Sequence, residues 1–253
     1  MNYFMLRSFD HAGFYETRLL LMLIGICVAL YFALRKRDYR YLIMFIAGVF
    51  FQASLEFSLK SMTLRGAGYS LSVFGFALPP LLAIILQGFF EGGILSLMGF
   101  WYVALQTDQD TSPKRRQAFL AVCVIIVLLA GMVGMMARGM PITSPRPMFG
   151  SVALLSNSIT IVIAVLLAWW KGGLRYLGLF FIGLLIYVVL TFEPLHIFGA
   201  RYIGVRDASG QFAAAAWLPQ VAVMLWSHIF EVAAGKIHYF AIPFALGLIK
   251  FRR

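Results

Sequence analysis

Residues 78–93 read LPPLLAIILQGFFEGG, and residues 218–233 read LPQVAVMLWSHIFEVA. Both open on Leu-Pro and carry Phe-Glu, with the glutamate twelve residues after the proline. Each stretch is apolar enough for a membrane helix, yet each places a carboxylate near its middle. At ~1.5 Å per residue, Glu91 and Glu231 fall about 20 Å along their helices, close to the centre of a ~30 Å hydrocarbon layer. A charge there costs ~2.5 kcal/mol or more, so both glutamates are expected to face the interior of a helix bundle.

The rest of the chain fits that setting. Of 253 residues, 62% are hydrophobic and only 12% are charged, about half the charged share of a soluble domain. Apolar runs separated by short charged clusters predict an all-α polytopic membrane protein without a separate soluble domain. No ten-residue alternation of the kind a transmembrane barrel needs is visible. Seven spans are read, at about 19–34, 41–59, 77–104, 117–137, 152–170, 176–195 and 217–249. The longest gap, 196–216, reads as an ordered loop against the membrane. The first 18 residues lack an early apolar core, so anchoring is expected to rest on the spans.

The net charge of +11 does not point to nucleic acid, because the basic residues sit at helix ends. Twelve of them lie in the 1–2, 3–4 and 5–6 connections and the C-terminus, against eight on the other side. That bias predicts the N-terminus outside and the C-terminus inside, in a bacterial cytoplasmic membrane. Cys27 and Cys123 both fall in apolar runs and read as buried small residues rather than a disulfide or metal site.

The paired Leu-Pro and Phe-Glu spacings suggest an internal repeat. "RYL" at Arg40–Leu42 recurs at Arg175–Leu177, and Glu56 late in span two matches Glu193 late in span six. Four of the five glutamates thus sit at repeat-matched places. The single domain, 1–253, divides into a first unit at about 19–104, a linker helix at about 117–137 and a second unit at about 152–249. Both units begin on an odd-numbered span, so they run parallel about an axis along the membrane normal.

Helix periodicity puts Gln87 on the face of Glu91 and His228 on the face of Glu231. If the two glutamates meet on the axis, Gln87, Glu91, His228 and Glu231 form a group able to donate or relay a proton. Glu56 and Glu193 lie nearer the outer face, within pairing distance along the helix of Lys60 and His196. A purely structural network, with Gly88, Gly92, Gly93 and Gly235 permitting close helix approach, is the competing reading. Phe90, Trp101, Trp226, Phe230 and Tyr239 flank the glutamates as candidate substrate-lining rings, since aromatic faces stabilise cations.

Other patterns carry less. Asp108 and Asp110 of "DQD" could hold Mg²⁺ but read as a solvated turn. His228 and His238 could offer one haem ligand each only with a second helix. Lys236 in span seven resembles the retinal-binding lysine of microbial rhodopsins, with Glu91 as counterion, but Val232 stands where those proteins usually carry an aspartate. No metal and no cofactor is expected.

The layout resembles the integral-membrane carotenoid and terpenoid cyclases and hydratases, such as the bacterial and fungal lycopene cyclases. The matching positions are Glu56 and Glu91, then Glu193 and Glu231. The P-x-E-E motif of that family is absent, and "LEF" (Leu55–Phe57) and "FEP" (Phe192–Pro194) stand in place of its Trp-Asp pair. The resemblance implies a lipid-soluble isoprenoid substrate, protonated by a buried carboxylic acid, with a second carboxylate accepting a proton at the end. A small-solute or proton-coupled transporter is the alternative, and a non-catalytic membrane subunit of an oligomer or larger complex is the third. Membrane lipids are the expected surroundings in each case.

Overall fold

The computed structural model describes residues 2–9, 12–61, 71–108, 112–142, 145–207 and 209–251. Six helices are long and apolar enough to cross a membrane. They are α1 (Phe14–Arg35), α2 (Arg40–Ser61), α3 (Pro80–Thr107), α4 (Pro113–Met136), α5 (Ser151–Trp170) and α6 (Leu174–Ile197). A seventh helical stretch, α7, consists of the consecutive segments Trp217–Trp226, Ser227–Ala233 and Ala234–Lys236, and a short α8 (His238–Ala245) follows. The expected seventh span is therefore helical but interrupted.

Local chemistry sets the helix starts. Pro80 follows Pro79 at the first turn of α3, where a missing N–H costs nothing. Ser112 Oγ accepts from Arg115 N and caps α4, with Pro113 at its first position. Two helices contain π turns at their glutamates, Gly88–Gly93 in α3 and Ser227–Ala233 in α7. Such turns make up well under 1% of residues in globular proteins and cluster at functional sites. A third π turn, Tyr31–Arg35, closes α1 and carries no acidic residue.

Helices α1, α2 and α3 pack on one another, and α5, α6 and the α7–α8 pair do so as well. Across the two sets, α3 packs on α6 and α8 packs on α2, while α4 lies against α1, α3 and α6. The inner half of α3, from Ile94 to Leu105, is buried along nearly its whole circumference and is the centre of the main core. Glycines let the backbones meet, as the sequence suggests. A Cβ on Gly92 would strike the carbonyl oxygen of Gly48, and one on Gly48 would strike that of Gly92. Gly99 of α3 and Gly183 of α6 make a similar approach, a Cβ on Gly183 meeting Gly99 Cα at 2.8 Å.

One end of the bundle carries a small β-sheet that sequence reading does not anticipate. Its order is β4-β1-β5-β6, from Arg146–Pro147, Tyr3–Arg7, Arg201–Arg206 and Phe212–Ala214. The central strand β1 is antiparallel to β5, with Met5 opposite Ile203. The segment read as a loop at 196–216 thus supplies two strands. A hairpin of β2 (Ser72–Val73) and β3 (Phe76–Ala77) lies at the same end, where Phe74 N donates to Glu16 Oε1 at 2.6 Å. At the opposite end, Asp108 bridges Arg40 and Arg115 at 2.9 Å each. Asp38 adds a second carboxylate to Arg40 at 2.8 Å, and the Tyr41 hydroxyl accepts from Arg115. Asp108 therefore serves as an ion-pair partner, and Asp110 lies outside the described residues.

Candidate functional site

The structure divides the candidate glutamates between two clusters. The first lies between α2, α3 and the α7–α8 junction and is organised by Gln52. Its Nε2 donates to Glu91 Oε2 and to Glu56 Oε1, both at 3.2 Å. Its Oε1 accepts from Lys236 Nζ at 2.6 Å and from the Tyr239 hydroxyl at 2.8 Å. Gln52, Glu56 and Tyr239 are buried, whereas Glu91 and Lys236 are half-buried. Position along the chain explains the assembly: Gln52 and Glu56 are four residues apart on α2 and share one face. The Gly48–Gly92 contact then draws the π turn carrying Glu91 against that face. Phe51 stacks on Tyr239 at 5.5 Å, which places an aromatic wall beside the polar group.

The second cluster lies beneath the sheet, at the end of α6. His228 Nδ1 is 3.2 Å from Glu193 Oε1. His196 Nδ1 donates to the carbonyl oxygen of Arg201 at 2.5 Å. That carbonyl is held in place because Gly199 ends α6 in a left-handed turn (φ 70), Ala200 N bonds Leu195 O at 2.9 Å, and Arg201 opens β5 against β1. Glu231 faces a different partner set, accepting from Arg146 Nη2 at 2.7 Å and Ser227 Oγ at 3.1 Å. The guanidinium of Arg201 is buried and lies over the Phe192 ring at 3.9 Å, with Nε donating to Met5 Sδ at 3.2 Å. Burial, with help from Arg146 and Arg7, pushes its pKa down to about 9. It feels Glu193 and Glu231 electrostatically but makes no ion pair with either among the described residues.

The expected meeting of Gln87, Glu91, His228 and Glu231 on one axis does not describe these contacts. Glu91 is tied to Gln52 and Glu231 to Arg146, because the two π turns pack on different helices, α2 and α6. Gln87 is fully buried on the last turn before the first π turn. Among the candidate rings, Tyr239 belongs to the first cluster. Trp226 and Phe230 stack at 4.4 Å on the helix that carries the second. Phe90 is buried with Phe9 and Phe14 in the core under the sheet. Trp101 packs on Phe32 and Phe119 at 5.8 and 5.5 Å, in the aromatic core toward the Arg40–Asp108 end. It lies ten residues beyond Glu91, ~15 Å along α3, because aromatic surface in this chain fills the core wherever helices converge.

Gln52, Arg146 and Arg201 join the site without being expected there, and His196, expected only as a pairing partner of Glu193, joins it too. Gln52 had a usable signal, an amide in an apolar span four residues before a glutamate. Arg201 had none, since only the β1–β5 pairing brings it under the bundle. Six helices long and apolar enough to cross a membrane define the class, a polytopic helical membrane protein. No family model matches the chain, and comparison with curated proteins and with solved structures gives no match.

Proposed function

We propose that the protein is a membrane-embedded acid–base enzyme acting on a hydrophobic, isoprenoid substrate, with Glu91 as the proton donor. The observation that carries this reading is the Gln52-centred cluster. A half-buried carboxylate at mid-helix is held from the inner side by a buried amide, and that amide is fixed by a second carboxylate, an ammonium and a phenol. Such a group is oriented before any substrate arrives. In the proposed step, Glu91 transfers its proton to one carbon of an alkene, the π pair forms the new C–H bond, and a carbocation is left on the neighbouring carbon. Aromatic faces such as that of Phe51 stabilise the cation. A second carboxylate, Glu56, removes a proton from an adjacent carbon, and that C–H pair becomes the new double bond. Cyclisation, hydration or isomerisation differ in what reaches the cation first.

In this reading α7 and α8 together make a seventh crossing. The paired π turns and recurring helix contacts support two parallel units, 19–104 and 152–249, joined by the helix at 117–137. The charge bias supports the N-terminus outside and the C-terminus inside a bacterial cytoplasmic membrane. One observation favours proton-coupled transport as a second reading: Lys236 and two glutamates meet through one amide at the boundary between the units. The two are separated by comparing lipid extracts, by mass spectrometry, from cells with and without the gene. An enzyme gives a new or missing lipid species. A transporter leaves the lipids unchanged and instead moves protons across reconstituted vesicles.

A further inference from the structure

α6 ends on Glu193-Pro-Leu-His196, and the π turn of α7 carries His228-Ile-Phe-Glu231. The first is Glu-x-x-His and the second His-x-x-Glu, so each places a carboxylate and an imidazole about one turn apart. Because α6 packs on this π turn, the two pairs approach each other. One donor atom from each of Glu193, His196 and His228 lies within 4.8 Å of the other two.

The donors are set up as a metal site requires. His196 gives its Nδ1 proton to the Arg201 carbonyl, which in the neutral ring leaves the lone pair on Nε2. This is the outer contact that metal-bound imidazoles commonly make. His196 Nε2 has no hydrogen-bond partner among the described residues. His228 is 2% exposed, its Nε2 also lacks a partner there, and Phe192 stacks on its ring at 6.0 Å with planes 13° apart. A buried imidazole nitrogen without a partner is costly, and a cation would satisfy it. The Glu193 side chain is 37% exposed, which gives an ion a way in. Donors around a tetrahedral cation lie ~3.3 Å apart for bonds of ~2.0–2.1 Å, so ligation closes gaps of at most ~1.5 Å, and His228 Nδ1 and Glu193 Oε1 already stand 3.2 Å apart.

We infer that Glu193, His196 and His228 bind a divalent first-row transition-metal ion at the sheet end of the bundle. Three protein ligands of this type leave coordination positions open, as in catalytic rather than structural sites. The unpartnered Nη1 of the neighbouring Arg201 suits an oxyanion placed at such a position. The site shares no residue with the Gln52 cluster, so the inference goes beyond the proposed acid–base reaction.

The test uses the full chain purified in detergent with Co²⁺ and Zn²⁺ as probes. The unaltered protein should take up one Co²⁺ per chain with the visible absorption of low-coordinate N/O ligation, and Zn²⁺ should displace it. Glu193→Gln, His196→Gln and His228→Gln, checked for folding by gel filtration, should each weaken binding by at least ~10–100-fold, the range for outer-shell changes alone. Glu91→Gln should bind as the unaltered chain does. Absence of saturable Co²⁺ and Zn²⁺ binding by the unaltered protein overturns the inference, whatever the variants do. Binding that persists in all three variants overturns it as well. The readout needs no substrate, so failure here would leave the acid–base reading standing, and the reverse.

Discussion

Gln52 Nε2 donates to Glu91 Oε2 at 3.2 Å across the α2–α3 interface. The other end of the same amide accepts from Lys236 and Tyr239, so a single side chain joins four partners from four helical segments. A donor or acceptor left unmade in a buried place costs ~1–3 kcal/mol. Gln52→Leu should therefore lower the melting temperature in detergent markedly, because four groups each lose a contact at once. A melting temperature within a degree or two of the unaltered protein would show that these contacts contribute little.

The Gly48–Gly92 approach should be similarly sensitive, for steric reasons. A methyl at either position meets the opposite backbone, which cannot turn aside as a side chain can. Overpacking of this kind typically costs ~1–3 kcal/mol, and here it should reach the top of that range. A methyl on Gly178 of α6 would instead enter open space, with nothing among the described residues within 4 Å beyond its own helix. Gly178→Ala should therefore be neutral or slightly stabilising. Thermal unfolding of the three alanine variants, compared side by side, checks both halves.

Arg201 should trade stability for function. Its buried guanidinium lacks a carboxylate in contact among the described residues. Arg201→Met keeps much of the side chain's length and apolar volume, so it should stabilise the fold by ~1–4 kcal/mol. Burial and the neighbouring guanidinium groups of Arg146 and Arg7 disfavour this charge, which a guanidinium cannot shed, so the penalty stands at neutral pH. Denaturation of Arg201→Met against the unaltered protein at neutral pH tests this.

Orientation can be read by labelling. The proposed orientation has the Arg40–Asp108 end inside and the sheet end outside. In intact cells a cysteine beside Arg146, whose side chain is 45% exposed, should react with an impermeant thiol reagent. One beside Lys114 should not. The reverse pattern would invert the orientation.

The helices are legible because each long run must satisfy its own backbone in lipid and therefore carries some twenty apolar residues. The sheet is not, because its strands are two to six residues long and come from three distant parts of the chain. Only their pairing stabilises them, and no local pattern announces it. The glutamates at 56, 91, 193 and 231 stand out because charge is scarce in apolar spans. Their partners do not, since helix periodicity gives faces but not which helix a face meets. That is why Gln52 and Arg146, rather than each other, are found against Glu91 and Glu231.

As proposed above, Glu91 acts as a proton donor rather than as a structural polar group. Glutamine keeps its size and can still accept from Gln52, but it has no acidic proton to give. The direct measurement is formation of the gene-dependent lipid product in membranes, normalised to folded protein, for Glu91→Gln against the unaltered chain and Glu231→Gln. A fall of ~10²–10⁴-fold is expected for Glu91→Gln in protein that still folds and inserts, with Glu231→Gln close to normal. Near-normal product from folded Glu91→Gln would contradict it.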